Sequence, residues 1–234
     1  MTYDYIGGEL ELFAAASHWK SYLGSILKPH ICGRVLEVGA GIGSNIPYLC
    51  NSKVSDWTSL EPDGELAAQI SDRIQRGELP GSCRVQVGDL GSIEADAQYD
   101  AILYIDVLEH ILEDSDELAA ASRCLRSGGR LIVLAPAHQF LFSPFDAAIG
   151  HHRRYTKASL QRVGPGGCRL VASRMLDSIG FFASLANRVL LRSSSPSPRQ
   201  ILFWDTVLVP VSRIVDPCTG YRFGKSVVGV WRRD

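Results

Sequence analysis

Short apolar runs alternate along the chain with longer stretches in which apolar residues recur every three or four positions. A short apolar run between turn residues is typical of a buried parallel strand, and the longer spacing is typical of an amphipathic helix. Strands that alternate with helices predict a parallel, doubly wound α/β sheet. The predicted strands are 35–38, 56–60, 83–87, 99–105, 130–135, 168–175 and 226–231.

The predicted helices lie between these strands and at both ends of the chain. Residues 1–30 predict one or two amphipathic helices, and 201–215 is strongly apolar. The low-complexity stretch 193–198 is typical of a flexible hinge. The other predicted helices are 42–50, 66–74, 115–126 (ended by Ser127, Gly128 and Gly129), 156–160 and 181–191.

Three glycines spaced two apart follow the first predicted strand. Gly39, Gly41 and Gly43 can adopt backbone angles closed to other residues, and they let the main chain approach a ligand closely. The following helix would direct its first N–H groups to the same ligand. Dinucleotide-binding turns read Gly-x-Gly-x-x-Gly, whereas position 44 here is Ser44. The turn therefore predicts a nucleotide-like ligand but argues against a nicotinamide-dependent reductase.

Acidic residues follow the second, third and fourth predicted strands. Glu61, Asp89 and Asp106 stand at these positions. Ligands of open α/β sheets bind outside the carboxyl ends of the strands, so these acids should converge on one crevice. An acid about 20 residues after such a glycine turn accepts hydrogen bonds from ribose hydroxyls, which is the position of Glu61. Asp89 taken alone could equally serve as a turn or N-cap residue.

The pattern Glu37-x-Gly-x-Gly-x-Gly with its later acids resembles the class I S-adenosylmethionine-dependent methyltransferases over residues 34–135, and less closely over 224–232. This resemblance implies a Rossmann-like, seven-stranded sheet with one antiparallel strand and added helices at the N-terminus and in the C-terminal third. The segment from Gly150 to Tyr155 is similar to bacterial methyltransferases of the ubiquinone-methyltransferase-like group. The resemblance implies S-adenosylmethionine as cofactor and S-adenosylhomocysteine as product.

Cofactor contacts are assigned from the resemblance, residue by residue. Glu37 would orient the methionyl amino group, Glu61 the ribose, and Asp89 with Leu90 the adenine. Asp106 or Val107 would line the methionine end. The complete implied set is Glu37, Gly39, Ala40, Gly41, Gly43, Glu61, Pro62, Asp89, Leu90, Asp106 and Val107. Methyl transfer is an in-line displacement, so alignment in a desolvated pocket is the main task of such an enzyme.

Histidines are the candidate catalytic residues on the acceptor side. His110 follows the fourth strand, and His151 and His152 lie in the long connection 136–155. A histidine near its unperturbed pKa of about 6.5 suits general-base catalysis at neutral pH. Long loops at the ligand-binding edge are usually functional.

A divalent cation is a second possibility at the same place. Asp106-x-x-Glu109-His110 resembles the Glu-x-x-Glu-His motif of ubiquinone O-methyltransferases and small-RNA 3′-end methyltransferases. The resemblance implies metal ligation by Asp106, Glu109 and His110, with His151 from the later loop. Asp106 is one methylene shorter than the family's first ligand. Alternatively, Glu109 and His110 form a polar pair at the start of a helix.

Two features bear on the acceptor. Arg153 and Arg154 are either solvated loop charges or the holders of an anionic substrate group. The segment 201–215 is either a core-packing helix or a wall for a lipidic acceptor. Both features together allow an anionic or amphiphilic small molecule.

Composition limits the class of protein. The 234 residues, 46% hydrophobic and 21% charged, suit one domain, with a helical cap at 1–30, a cofactor core at 31–135 and a substrate-side region at 136–234. A net charge of −1 argues against nucleic-acid binding. Acidic residues near the start argue against a signal peptide, and no apolar run is long enough to cross a membrane. The six cysteines contain no Cys-x-x-Cys pair, which favours a cytoplasmic protein.

The sequence thus predicts an enzyme that transfers a methyl group to a small-molecule acceptor, with a hydroxyl favoured. N- or C-methylation of a metabolite or prenylated intermediate, and a non-catalytic cofactor-binding module, remain as alternatives. The sequence does not indicate the oligomeric state.

Overall fold

A computed structural model describes residues 9–94, 97–186 and 197–234. Its centre is a seven-stranded sheet in the order β3-β2-β1-β4-β5-β7-β6. The strands are β1 (Gly33–Val38), β2 (Val54–Glu61), β3 (Cys83–Val87), β4 (Tyr99–Ile105), β5 (Leu125–Pro136), β6 (Cys168–Leu176) and β7 (Ser226–Arg233).

Helices cover both faces of this sheet. The helices are α1 (Glu9–Ala14), α2 (Ser17–Leu27), α3 (Ile46–Leu49), α4 (Gly64–Gln75), α5 (Asp114–Arg123), α6 (Pro144–Ala148), α7 (Lys157–Val163), α8 (Ser178–Ala186), α9 (Pro198–Phe203) and α10 (Val209–Cys218). A π-helical turn, Trp204–Leu208, joins α9 to α10.

Strand direction determines which residues reach the ligand-binding edge. The strands β1 to β5 pair in parallel, so their carboxyl ends lie at one edge. β7 runs antiparallel to both β5 and β6, which brings its amino end, at Ser226, to that same edge opposite Pro136. The predicted Rossmann-like, seven-stranded fold with one reversed strand is confirmed.

Two hydrophobic cores lie on opposite faces of the sheet. Val35 and Leu103 pack into one core with residues of α2, while Leu36 and Ile102 pack into the other. Alternate residues of a strand point to opposite faces. A central strand buried on both sides is therefore apolar at successive positions, which explains why β4 reads as a continuous apolar run.

Two predicted helices have different bounds in the structure. The helix predicted at 42–50 is reduced to α3, because Gly43 adopts φ +69°, outside the right-handed helical region, and Pro47 favours the first turn of a helix. The helix predicted at 115–126 ends at Arg123. The following Gly128 and Gly129 belong to β5, where the β4–β5 register shifts between Tyr99 and Ala101.

The C-terminal third also departs from the prediction. Part of the helix predicted at 181–191 forms α8, and the remainder lies outside the described residues. Within the predicted hinge, 193–196 lie outside the described residues, whereas the Ser197 side chain caps α9 and Pro198 begins it. Among the described residues, no helix combines the length and apolar character required to cross a bilayer.

The segment 201–215 is neither purely a core helix nor purely a surface helix. Ile201, Trp204 and Val209 are buried against the core. Its opposite face is apolar and exposed, and it consists of Leu202, Phe203, Val207, Val211 and Ile214.

Candidate active site

A cavity of about 1100 Å³ opens at the carboxyl edge of the parallel strands. The turn after β1 forms its floor with Gly39, Ala40 and Gly41, and helices α1, α2 and α9 form part of its walls. The segment after β4 and the connection 136–155 close the remaining side. Its charged and imidazole-bearing lining residues are Lys20, Asp106, Glu109, His110, Asp146, His151, Arg154, Arg199 and Lys225.

The glycine turn has the geometry of a ligand cradle. Gly39, Gly41 and Gly43 adopt φ values of +66°, +56° and +69°, where side chains are disfavoured. A Cβ placed on Gly39 would lie 2.7 Å from Val107 Cγ2. The Gly39 N–H donates to Leu60 O at 2.8 Å, which fastens the turn to β2. The missing Cβ of Gly39 lets Val107 pack against the turn, and the turn presents main chain at the cavity floor; the close approach of a cofactor to it stays a prediction.

Glu61 fixes the same turn from the end of β2. Its Oε2 accepts a hydrogen bond from the Gly41 N–H at 2.7 Å, and its Oε1 accepts one from the Asp63 N–H at 3.0 Å. Burial raises the pKa of the Glu61 carboxyl, and these two backbone hydrogen bonds oppose the rise. Glu61 therefore orders the cradle.

Other predicted cofactor residues lie around the cradle rather than in the cavity wall. Glu37 is buried beneath the turn, where its Oε2 accepts a hydrogen bond from Trp57 Nε1 at 3.2 Å. Burial raises its pKa to about 7, against the hydrogen bonds of Trp57 and Asn45. Gly43, Glu61, Pro62, Asp89, Leu90 and Val107 also do not line the cavity.

Asp89 has the turn-capping role that the sequence analysis gave as an alternative. Its exposed side chain accepts a hydrogen bond from the Gly91 N–H at 3.0 Å and caps a short 3₁₀ turn. Leu90 is buried in a hydrophobic core. An adenine contact by either residue stays a prediction.

Asp106 lies at the end of β4 with φ +53°, a strained conformation for a non-glycine residue. Its N–H donates to Leu134 O at 3.0 Å, and its side chain lines the cavity. The surrounding protein, which removes the carboxyl from bulk water, raises its pKa, while the nearby charges of His151 and Lys225 lower it.

Glu109, His110 and His151 form a compact cluster, and each contributes a possible ligand atom within 4.8 Å of the others. Glu109 is fully buried, and neither carboxylate oxygen has a hydrogen-bond partner among the described residues. His151 Nε2 lies 3.7 Å from Glu109 Oε1, and the rings of His110 and His151 are 4.6 Å apart. The structure thus assembles three of the four predicted metal ligands; Asp106 is not part of the cluster.

His152 lies near the cluster but is not part of it. Its backbone N–H donates to Glu109 O at 2.8 Å, whereas its side chain is exposed and does not line the cavity. The backbone of this residue therefore links the 136–155 connection to the turn that carries Glu109.

Asp146 orients His151 from behind, and the sequence analysis missed it. Its Oδ1 lies 2.9 Å from His151 Nδ1, which leaves His151 Nε2 to face Glu109. Asp146 also forms a capping box with Ser143 at the start of α6. The Ser143-Pro144-x-Asp146 spacing was the signal that could have located it.

Burial and neighbouring charges perturb this cluster. Burial raises the pKa of Glu109 well above the usual glutamate range, and the charge of Asp106 adds to the rise. Burial and the two neighbouring histidines lower the pKa of His110 to about 4. Burial also raises the pKa of Asp146, but the hydrogen bonds from His151 and Arg154 outweigh that effect and hold the pKa well below its usual range.

The two loop arginines are not solvated charges. Arg153 Nη1 lies 2.7 Å from Asp114 Oδ2, and Arg154 binds Asp146 through Nε at 3.0 Å and Nη2 at 2.9 Å. Arg154 lines the cavity, but its charge is matched by Asp146. Both side chains therefore hold the loop in place.

Residues 36–133 match the family model described as "Methyltransferase domain". The match spans the glycine turn, Glu61 and the Glu109–His110 turn. The matched residues form an S-adenosylmethionine-dependent methyltransferase domain, which is the class of enzyme that the sequence predicts.

Similar solved structures show the fold beyond the matched residues. A geranyl diphosphate methyltransferase in complex with S-adenosylmethionine aligns over 99% of this chain and 93% of its own, with 14% identity and a TM-score of 0.67. Coclaurine N-methyltransferase, bound to N-methylheliamine and S-adenosylhomocysteine, aligns over 99% and 82%, with 13% identity and a TM-score of 0.64. The cyclase SpnF aligns over 91% and 80%, with 16% identity and a TM-score of 0.60.

Proposed function

We propose that this protein methylates a hydroxyl group of a small-molecule acceptor, with S-adenosylmethionine as the methyl donor. The proposal rests chiefly on one observation: the fully buried Glu109 carboxyl group, which has no hydrogen-bond partner in the described parts of the chain, faces His151 in a cavity whose floor is the glycine turn. The fold alone does not fix the reaction, since one of the similar structures is a cyclase.

The cofactor would lie over the ends of β1, β2 and β3. Gly39 and Gly41 give it room, and Glu61 offers acceptor oxygens to the ribose hydroxyls. Glu37 supports the turn from below, while Asp106 borders the methionine end. The bound cofactor supplies the sulfonium methyl group, which is the electrophile.

The acceptor would enter from the side of β5 and the connection 136–155. A hydroxyl must lose its proton to become a good nucleophile, and His151 is placed to take it. Asp146 holds the Nδ1 side of the ring, so Nε2 is free to act at the acceptor. The buried Asp146–Arg154 pair keeps this orientation fixed.

The same cluster also fits a divalent cation, which would be held by Glu109, His110 and His151. Its oxygen and nitrogen donors, the free Glu109 oxygens and the supporting Asp146 behind His151 are typical features of such a site. Bound there, a cation would lower the pKa of the acceptor hydroxyl and orient it. Asp106 is left to border the cofactor.

The similarity of Gly150 to Tyr155 to the ubiquinone-methyltransferase-like group supports an aromatic or prenylated acceptor. Leu141, Phe145 and Ile149 give the cavity an apolar wall beside the cluster. We propose a cytoplasmic enzyme whose acceptor is an amphiphilic metabolite.

Methyl-labelled S-adenosylmethionine and a panel of catechols, phenols and matched amines would test this proposal. Mass spectrometry should find the label on oxygen, and the rate should fall after exhaustive chelation and recover with one of Mg²⁺, Mn²⁺ or Zn²⁺. The exposed His152 supplies the control, because His152→Ala should retain activity.

Three results would contradict parts of the proposal. Label on nitrogen or carbon would replace O-methylation by the corresponding alternative. Activity that survives chelation together with an active His110→Ala variant would remove the cation. Failure of the wild-type protein to bind S-adenosylhomocysteine would overturn the cofactor site.

A further inference from the structure

Lys225 stands immediately before β7, at the edge of the sheet where the cavity opens. Its backbone N–H donates to Asp177 O at 3.1 Å, and its carbonyl accepts from the Ala137 N–H at 2.8 Å. These bonds join it to the ends of β5 and β6. The position of its Cα is therefore fixed by the sheet rather than by a free loop.

The Lys225 side chain lines the cavity, and its Nζ lies 4.6 Å from the centre of the Trp204 ring. Within the described ranges, its ammonium makes no hydrogen bond and no ion pair. An ammonium removed from water is costly unless it is paired. The Lys225 side chain is partly accessible from the cavity, and its partial removal from water lowers its pKa.

The nearby carboxylates do not pair with the Lys225 ammonium. Asp177, Asp106 and Asp146 contribute favourable charge at longer range, while Arg154 opposes it. The Asp177 oxygens already accept hydrogen bonds from Trp204 Nε1 at 2.7 Å and Ser212 Oγ at 2.7 Å. Asp146 is held by Arg154 and His151. Lys225 is thus a cavity cation whose strong donors are unused.

The topology separates Lys225 from the cofactor cradle. The glycine turn follows β1, and Glu61 ends β2, whereas β4 and β5 stand between β1 and β7 in the sheet. An anion that binds at Lys225 when S-adenosylhomocysteine is already bound would therefore belong to the acceptor. Phe145 and Ile149 line the same cavity and could contact an apolar body.

We propose that Lys225 binds an anionic group of the methyl acceptor, a carboxylate or a phosphate, while the acceptor hydroxyl lies at the Glu109–His110–His151 cluster. This inference rests on the proposed function and adds the substrate class: a hydroxylated, apolar molecule that carries a negative charge at its far end. The Trp204 ring lies against the Lys225 ammonium and limits the directions in which the ammonium can donate hydrogen bonds. The enzyme should therefore prefer acceptors whose anionic group and hydroxyl are separated by the distance from Lys225 to the Glu109–His110–His151 cluster.

The test uses full-length protein saturated with S-adenosylhomocysteine and titrated by calorimetry with octanoate, octyl phosphate and octanol. The anions should bind at least about tenfold more tightly than the alcohol, because a charge-assisted hydrogen bond contributes that much or more. Lys225→Met should abolish the preference, and Lys225→Arg should restore most of it. Comparison of the two anions distinguishes a carboxylate site from a phosphate site.

Lys157→Met is the matched control. Lys157 Nζ donates to Tyr221 O outside the cavity lining, so this variant should keep the wild-type preference. The inference is overturned if octanol binds the wild type as tightly as either anion, if neither anion binds, or if Lys225→Met retains the preference. Unchanged affinity for S-adenosylhomocysteine in Lys225→Met would show that the cofactor site is intact, and a wild type that fails to bind it would reject the proposed function instead.

Discussion

The two sides of the cavity satisfy their charged groups differently. On the cofactor side, Glu61 accepts hydrogen bonds from Gly41 and Asp63, and Glu37 accepts one from Trp57. On the acceptor side, Glu109 has no partner among the described residues, although it is fully buried. The glycine turn is thus ordered by hydrogen bonds within the protein, whereas the Glu109 oxygens on the other side remain available to a ligand.

Two lysines that line the cavity differ in the same way. Lys20 of α2 donates from Nζ to Ala14 O at 2.8 Å, whereas the Lys225 ammonium has no hydrogen-bond acceptor in the described structure and lies against the face of Trp204. A partly desolvated charge that has no hydrogen-bond or ion-pair partner among the described residues lowers stability, so its retention indicates a functional role. The difference suggests that the acceptor side is completed by its ligand.

Replacement of the Glu109 carboxyl group is the strongest test of this comparison. Glu109→Gln should reduce methyl transfer by at least about 10²-fold, because it removes the carboxylate that faces His151. Affinity for S-adenosylhomocysteine should change by less than about twofold. The midpoint of thermal unfolding should not fall, since the variant removes a buried carboxyl without a partner.

Calorimetry, a turnover assay and a thermal melt on the same preparation would check these three expectations. A fully active Glu109→Gln variant would contradict the acceptor-side role. A large loss of cofactor affinity would instead show that the two sides of the cavity are not separable.

Glu61→Ala should produce the next largest effect, and on the opposite side of the cavity. Loss of the carboxylate frees the Gly41 and Asp63 N–H groups and should weaken cofactor binding by roughly 10- to 100-fold. Titration with S-adenosylhomocysteine measures the change. Glu65→Gln removes an exposed charge four residues later and should bind normally; an unchanged affinity in Glu61→Ala would reject its role.

The cofactor cradle was accessible to sequence analysis because it is built from main chain at consecutive positions. Only certain residues tolerate the φ values of Gly39, Gly41 and Gly43, so the conformation leaves a visible pattern. The apolar runs at β1 and β4 likewise predicted two buried strands. The seven-stranded sheet with one antiparallel strand is what the family resemblance implied, and the structure confirms it.

The acceptor side was less accessible because its side chains come from segments far apart in sequence. His151 and Glu109 lie close together although more than 40 residues separate them in the sequence, and no local sequence pattern predicts that contact. His152 has the same residue type as its neighbour, yet its side chain points outward. The two arginines were read as loop charges or anion ligands, because Asp114 and Asp146 could not be assigned as their partners from sequence.

Gly39→Ala tests whether the cradle depends on backbone geometry. The new Cβ would lie 2.7 Å from Val107 Cγ2 at a φ of +66°, so we expect a loss of about 1 to 3 kcal/mol in the free energy of unfolding. Gly81→Ala is the control, since a Cβ there meets nothing within 4 Å. Chemical denaturation of both variants measures the difference, and equal stabilities would show that the turn adapts without strain.

Lys20→Met should change stability by an amount that depends on pH, with little effect on methyl transfer. Burial, with a contribution from Arg73, lowers the pKa of Lys20 from 10.5 to about 8 in the folded protein. Between pH 8 and 10.5 the unfolded chain therefore binds more protons at this residue than the folded chain does, and stability contributed by Lys20 rises with pH. The free energy of unfolding of the wild type minus that of Lys20→Met should be flat below pH 8 and increase above it, as measured by denaturation at a series of pH values. A difference that is constant up to pH 10.5 would mean that the hydrogen bond to Ala14 and the surrounding charges offset the burial of this ammonium, and that Lys20 and Lys225 differ less than their contacts indicate.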